Sequence, residues 1–406
     1  MPATRYAVAL LALSVTLAGV AGCSSVPPVE GSSAPSPSGT ARSTLPVADD
    51  LALTVEVVAG GLEHPWDLGF LPDGRVLVTE RSGRLRLLSS ATPGASVSEV
   101  TADLADVGAR GEGGLMGLLV HPDVASNGTV LTCQTHQEGG ALRDIRVVQW
   151  QLAADGSSAT RVKDLLTGLP VAGGGRHSGC RMALDGTGAL LVGTGDTAVA
   201  GVPQDRTSLG GKVLRVSLET GEGLPDNPFA DSADPHERRV LSYGHRNLQG
   251  ITTDATGAIL TAEHGPSFDD EVNLIRPGAN YGWDPSRGGE QSAYDESVSM
   301  TDTERYPDAV PALWTSGATT QAICAVAVLD GHTWPGLDGA LVVTALKGAK
   351  LLVLRREGER LTEVVVPEAT NGPFGRLRAA RVGPDGALYV TTSNGSDDKV
   401  LRISPA

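Results

Sequence analysis

The chain has 406 residues, among them 52 glycines and 25 prolines; 40% are hydrophobic, 4% aromatic and 19% charged. That apolar content excludes general disorder, and glycine without a three-residue period excludes a collagen-like fibre, so the core must be built from small aliphatic side chains. Thirty-two Lys and Arg against 47 Asp and Glu give a formal charge of -15, a field that repels phosphate backbones and argues against a nucleic-acid partner.

One positive charge, Arg5, precedes an apolar run from Tyr6 to Val20, too short to serve as a stable membrane span. The run closes in Val20-Ala21-Gly22-Cys23, the small-residue pattern after which bacterial lipoprotein signals are cut and the cysteine is lipidated. Residues 1–22 are therefore expected to be a lipoprotein signal peptide, with Cys23 lipidated and membrane contact limited to that anchor; the alternative is an ordinary signal peptide with an incidental cysteine. Residues 23–44, rich in Ser, Pro and Gly, cannot offset the entropy of ordering and read as a tether. The folded domain, 45–406, would then face an oxidising extracytoplasmic space, where Cys133, Cys180 and Cys324 can form at most one disulfide, with the pair left open.

Within that domain a polar-Gly turn followed by an aliphatic or β-branched run recurs six times, at Asp73-Gly74, Asn127-Gly128, Thr187-Gly188, Thr256-Gly257, Asp338-Gly339 and Asp385-Gly386. The glycines suit tight hairpins, and the runs have strand length and no helical period. A second strand follows each, at Arg84–Leu88, Arg146–Trp150, Val213–Val216, Val272–Ile275, Leu351–Leu354 and Val400–Ile403. Six similar hairpins without a convincing amphipathic helix between them predict an all-β, six-bladed β-propeller. The last repeat ends almost at Ala406, so residues 51–58 are expected to complete its blade. A pair of β-sandwiches is the alternative, and it gives no reason for six similar units.

Loops at one face of a propeller converge on its axis. His177, after Gly173-Gly174-Gly175, and Asp196 bracket one hairpin; a histidine whose second nitrogen is held by a carboxylate can act as a general base. Gly244-His245-Arg246-Asn247-Leu248-Gln249-Gly250 reads as a binding loop. Glu263-His264-Gly265-Pro266, Asp269-Asp270-Glu271 and Asn280-Tyr281-Gly282-Trp283 offer carboxylates and backbone carbonyls, hard oxygen ligands suited to calcium rather than zinc, or else a solvated acidic turn. Lys347, Arg376 and Arg378 place cations in the fifth and sixth repeats, a polyanion pocket if they converge on the axis.

Together these segments, with Gly61-Leu62-Glu63-His64-Pro65-Trp66, Gly111-Glu112-Gly113-Gly114-Leu115-Met116-Gly117 and His121-Pro122-Asp123, resemble the soluble aldose sugar dehydrogenases that depend on pyrroloquinoline quinone (PQQ), the family of soluble quinoprotein glucose dehydrogenase. The resemblance runs from about Gly61 to Ile403 and implies a six-bladed propeller. It implies that His177 is the base for the C1 hydroxyl of an aldose, that Asp196 orients it, and that hydride passes to the quinone to leave a lactone. By the same resemblance Glu112, Arg246, Asn247 and Gln249 contact the cofactor, with Arg246 near its reactive carbonyl, while Lys347, Arg376 and Arg378 neutralise its acidic groups. Carbonyls of Gly265 and Pro266 would hold a calcium ion at the cofactor, and Asp270, Glu271 and Tyr281 a second, structural one. The electron acceptor is not specified. Glu112, where glucose-type members carry Gln, and Arg176, where they carry Asp, depart from the glucose enzyme, and the aromatic pair that contacts sugar there is missing from the Ala318 to Ile323 stretch. A calcium-dependent lactonase or a non-catalytic ligand-binding propeller would be the rival readings of the same fold.

Overall fold

Each of the six polar-Gly turns begins the second strand of a four-stranded antiparallel sheet. A computed structural model describes residues 51–288 and 293–406; the expected signal peptide, Cys23 and tether lie outside them. In chain order the sheets are β2 (Pro65–Phe70), β3 (Val76–Glu80), β4 (Arg84–Leu88) and β5 (Val97–Val100); β6 (Leu115–Val120), β7 (Thr129–Glu138), β8 (Ala141–Leu152) and β9 (Ala159–Leu169); and β10 (Arg181–Leu184), β11 (Leu190–Gly193), β12 (Lys212–Val216) and β13 (Val240–Tyr243). Then come β14 (Leu248–Thr253), β15 (Ile259–Glu263), β16 (Glu271–Leu274) and β17 (Trp314–Thr315); β18 (Ile323–Val328), β19 (Leu341–Ala345), β20 (Lys350–Glu357) and β21 (Arg360–Val365); and β22 (Leu377–Val382), β23 (Leu388–Thr392) and β24 (Asp398–Pro405), whose fourth strand is β1 (Leu53–Leu62) from the other end of the domain.

The first strand of every sheet packs on the first strand of the next, and β22 returns to β2, so the sheets close a ring as blades of a propeller. The pairing of β1 with β24, from Leu53 opposite Pro405 to Leu62 opposite Asp398, ties that ring shut. The turns work as their composition predicts. In blades 3 and 4, Asp185 and Asp254 accept hydrogen bonds from the backbone two and four residues on, at Thr187 and Ala189 and at Thr256 and Ala258, while Gly188 and Gly257 take φ of 85°. Asn127-Gly128 differs: there the glycine ends a single helical turn, Val124–Asn127, rather than a simple hairpin. Strands with aliphatic side chains on both faces, such as β3 and β19, are buried throughout, as sheets packed between two neighbouring blades must be.

A ring of sheets leaves a hole along its axis, and here a buried ionic cluster fills part of it. Asp67 on β2 pairs with Arg181 on β10 at 2.7 Å and with Arg381 on β22 at 2.8 Å, and accepts from the Leu118 backbone N–H of β6. Arg181 also donates from Nε to the Gln249 carbonyl of β14 and lies over the Trp66 ring at 4.1 Å. Burial alone would raise the acid's pKa, yet the two guanidiniums hold the Asp67 carboxyl below the usual carboxylate range.

The Cys133–Cys180 disulfide joins β7 to the segment leading into β10, and Cys324 is a free, buried thiol. Closing a loop of 47 residues is worth about 4 kcal/mol in the chain-entropy picture.

Asp67→Asn leaves two guanidiniums without their carboxylate inside the ring, and we expect it to cost about 3–5 kcal/mol in urea unfolding; a loss below about 1 kcal/mol would mean that the axis is held by apolar packing alone.

Candidate active site

Because the first two strands of a blade are antiparallel, the segment entering the first and the segment leaving the second lie at the same end of the sheet. Around the ring this brings together Glu112 before β6, His177 before β10, Arg246 and Asn247 before β14, His264, Gly265 and Pro266 after β15, Thr320 and Ala322 before β18, and Lys347 after β19. Together with Arg176 and Glu296 they line one cavity of about 350 Å³, within the size range of small-molecule sites.

His177 and Asp196 meet. His177 Nδ1 lies 2.7 Å from Asp196 Oδ1, and both residues are buried. An ionised carboxylate can only accept, so Nδ1 carries the hydrogen and Nε2 is the nitrogen left for the cavity. Asp196 is itself fixed: it accepts from the Ala198 N–H, from Trp283 Nε1 at 2.8 Å and from the Tyr294 hydroxyl at 2.7 Å. Burial, and then the charge of Asp196, raise the Tyr294 hydroxyl's pKa, so it stays a donor. The chain passes tightly here. A Cβ on Gly195 would come within 2.0 Å of the His177 carbonyl oxygen, and His177 itself has φ of 50°, a conformation that non-glycine residues adopt where the surroundings impose it. Lys212 Nζ donates to the carbonyls of Val202, Pro203 and Gly210, fastening the segment that follows Asp196.

The binding loop and the cationic residues are wired together. Asn247 Nδ2 donates to Glu112 Oε2 at 2.9 Å, Gln249 Nε2 donates to Asn247 Oδ1 at 3.1 Å, and Arg378 Nη1 donates to Gln249 Oε1 at 3.3 Å. Arg378 is buried, shares the Trp66 ring with Arg181, and has the Cys324 sulfur at 3.7 Å. It stands in the cavity's supporting wall rather than on its lining. Lys347 lines the cavity. Arg376 is exposed and lies outside the lining, but its charge and that of Arg378 both act on Arg81, which donates to the Gly111 carbonyl. The basic residues of the last two blades therefore share one end of the axis.

Arg246 is buried and held at several points. Its backbone N–H donates to Glu263, Nη1 donates to the His264 carbonyl at 2.9 Å, and Nη2 donates to Glu296. Its Nε is buried without a partner among the described residues, and so is Nε2 of the neighbouring His264. Burial first, then repulsion from Arg246 and Arg378, pushes His264 down to about 3, so its ring is neutral at ordinary pH. Two buried nitrogens without partners in one wall are costly unless a ligand supplies the missing donor and acceptor.

The acidic turn divides into two sets. Asp270 directly precedes β16 and Glu271 is its first residue, and their side chains have different partners. Asp270 accepts from Gly265 N, Gln321 N and Thr320 Oγ1, pinning two cavity-lining segments, whereas Glu271 accepts from Thr301 and Asn273. The Tyr281 hydroxyl donates to the Leu274 carbonyl, accepts from Arg276 N and belongs to neither set. As arranged, the side chains of Asp270, Glu271 and Tyr281 do not form one calcium ligand set, and among the described residues no three His, Cys, Asp or Glu gather as a metal site. Burial, and then the charge of Glu263, pushes the Glu271 carboxyl well above the usual carboxylate range.

Sequence reasoning passed over Arg81, His264, Tyr294 and Glu296. His264 stood inside a quoted motif, and its burial was the missing information; Tyr294 and Glu296 lie in a stretch with no pattern of its own.

Residues 62–402 match the glucose/sorbosone dehydrogenase family. The chain is 30% identical over 362 residues to the aldose sugar dehydrogenase of Escherichia coli K12, covering 87% of this chain and 93% of that one. It superposes with a TM-score of 0.72 on an oxidoreductase described as a glucose dehydrogenase from Thermus thermophilus, 38% identical, with 86% of this chain and 99% of that one covered. The PQQ-bound aldose sugar dehydrogenase of Streptomyces coelicolor superposes with a TM-score of 0.70 at 28% identity, covering 88% and 100%. With a matching fold and a match over nearly the whole described domain, the chain belongs to the glucose/sorbosone dehydrogenase family.

Proposed function

We propose that this protein oxidises aldose sugars at C1 to lactones, with PQQ as the bound electron acceptor and calcium beside it. The observation that carries the reading is the pairing, in one cavity, of a carboxylate-held imidazole with Arg246, Lys347 and two unpartnered buried nitrogens. A planar tricarboxylate fits that wall chemically: its oxygens accept from Arg246 Nε and Lys347, and its N–H matches the bare Nε2 of a neutral His264. A relative named for the quinoprotein class, glucose dehydrogenase B of Acinetobacter calcoaceticus, supports the same cofactor.

When bound, the quinone supplies the two-electron acceptor that no side chain here provides, with calcium polarising it. Gly265 and Pro266, which line the cavity, are the residues whose carbonyls would hold that ion. The remaining work belongs to the chain. His177 Nε2 takes the proton of the C1 hydroxyl, and Asp196, held in place by its donors, stabilises the imidazolium that results. Trp283 and Tyr294 keep the carboxylate from rotating away. Arg246 donates to developing negative charge on the acceptor, while Arg378 acts through Gln249 and Asn247 to hold the wall in place. We further read the enzyme as exported and tethered at Cys23, a reading supported by the lipoprotein-type signal and by a disulfide that suits an oxidising compartment.

Purified apoprotein loaded with PQQ and calcium should reduce an artificial dye in the presence of aldoses, with saturable dependence on PQQ. His177→Ala should bind PQQ normally and lose about 10³-fold in kcat, whereas Lys347→Ala should weaken PQQ binding by about tenfold; wild-type turnover by His177→Ala would refute its role. Asp196→Asn keeps the size of the side chain but no longer dictates which ring nitrogen carries hydrogen. Its kcat should fall by about 10²–10⁴-fold with PQQ affinity unchanged, and a change confined to KM would contradict the assignment.

A further inference from the structure

We propose that Glu296 is an internal counter-ion shared by Arg246 and Arg176, and that the acidic cofactor takes over its place on Arg246 when it binds. The inference rests on the cofactor reading given above. Glu296 Oε1 accepts from Nη2 of Arg246 and forms an ion pair with Nη2 of Arg176 at 2.6 Å. The carboxylate lines the same cavity as His177 and Lys347. Burial alone would raise its pKa, but the two guanidiniums hold it below the usual range, so it is ionised at neutral pH.

The charge balance of the cavity turns on this one residue. Its lining carries three cations, Arg176, Arg246 and Lys347, and two carboxylates, Glu112 and Glu296. Glu112 already accepts from Asn247, so it is built into the wall. Among the described residues Glu296 is held by its two arginines, and with side chains 35% and 47% exposed the Glu296–Arg176 pair sits on the open side of the site, where the carboxylate can stay with Arg176 after it leaves Arg246. Arg246 is the opposite: it is buried, and among the described residues its Nε is unpartnered even with Glu296 in place. An incoming acid can therefore take Nε and then Nη2 of Arg246, while Glu296 stays on Arg176, which lies over the Tyr294 ring at 5.5 Å. The chain alone thus avoids a bare guanidinium in a buried wall, at the expense of affinity for the anion that belongs there.

The test is a fluorescence titration of the full chain with PQQ at fixed calcium, for wild type, Glu296→Gln and Glu296→Ala, at low and high salt, with thermal melts to establish that each variant is folded. Both variants should bind PQQ about tenfold more tightly than wild type, and the difference should shrink at high salt. Unchanged or weaker binding in a folded variant would overturn the proposal. So would an unchanged PQQ affinity with the whole effect on KM for the aldose, which would make Glu296 a sugar contact. If neither wild type nor variants bind PQQ saturably, the cofactor reading itself fails.

Discussion

A closed ring of sheets must fill its own axis, and the carboxylate of Asp67 between Arg181 and Arg381 is how this chain does so. Small aliphatic side chains pack the spaces between blades but do not reach across the centre, where six inner strands present their faces to one another. Opposite charges, with Asp67 and Arg181 buried and Arg381 partly so, bridge the gap and join blades 1, 3 and 6 directly. Arg181 continues the connection to blade 4 through the Gln249 carbonyl. A buried ionic cluster contributes little net stability compared with apolar packing, but once present each member depends on the others, and that fixes register between blades remote in sequence.

The candidate active site is a continuation of this cluster. Gln249, whose carbonyl receives Arg181, uses its side chain to connect Arg378 with Asn247, and Asn247 in turn donates to Glu112. Trp66 lies under both Arg181 and Arg378. The wall of the cavity is thus braced from the axis, and its chemically active groups are mounted on the segments entering and leaving inner strands. The disulfide three residues beyond His177 ties that segment to blade 2, and the Asp196 carboxylate, saturated with donors, holds the ring's orientation. Rigid mounting suits the reaction proposed for this site, which needs a proton acceptor and an electron acceptor at fixed separation.

Much of the fold was legible in the residues because propeller blades repeat. The six polar-Gly turns each start a second strand, the six following runs are third strands, and the shortage of strands at the C-terminus pointed to closure by the segment near Leu51. The first strands were not legible: they carry the axial and cavity residues, such as Asp67, Arg181 and Gln249, and those polar side chains break the aliphatic pattern by which a buried strand is recognised. At the site, His177 with Asp196 and the Arg246 loop stood out through residue type and glycine context. In the acidic turn adjacency in sequence conceals that Asp270 turns to Gly265, Thr320 and Gln321 while Glu271 turns to Thr301 and Asn273. Glu296 and Tyr294 left no sequence signal, since their importance comes only from the partners the fold brings to them.

The account depends on one arrangement: an acidic, oxygen-rich cofactor seated against Arg246 and Lys347 with the sugar carbon next to His177. A crystal structure of the protein soaked with PQQ and calcium tests it most directly. The account predicts planar density in the axial cavity, in contact with Arg246 and Lys347 and within reach of His177 Nε2. Density on any other surface of the propeller, with the axial cavity left to solvent, would contradict it.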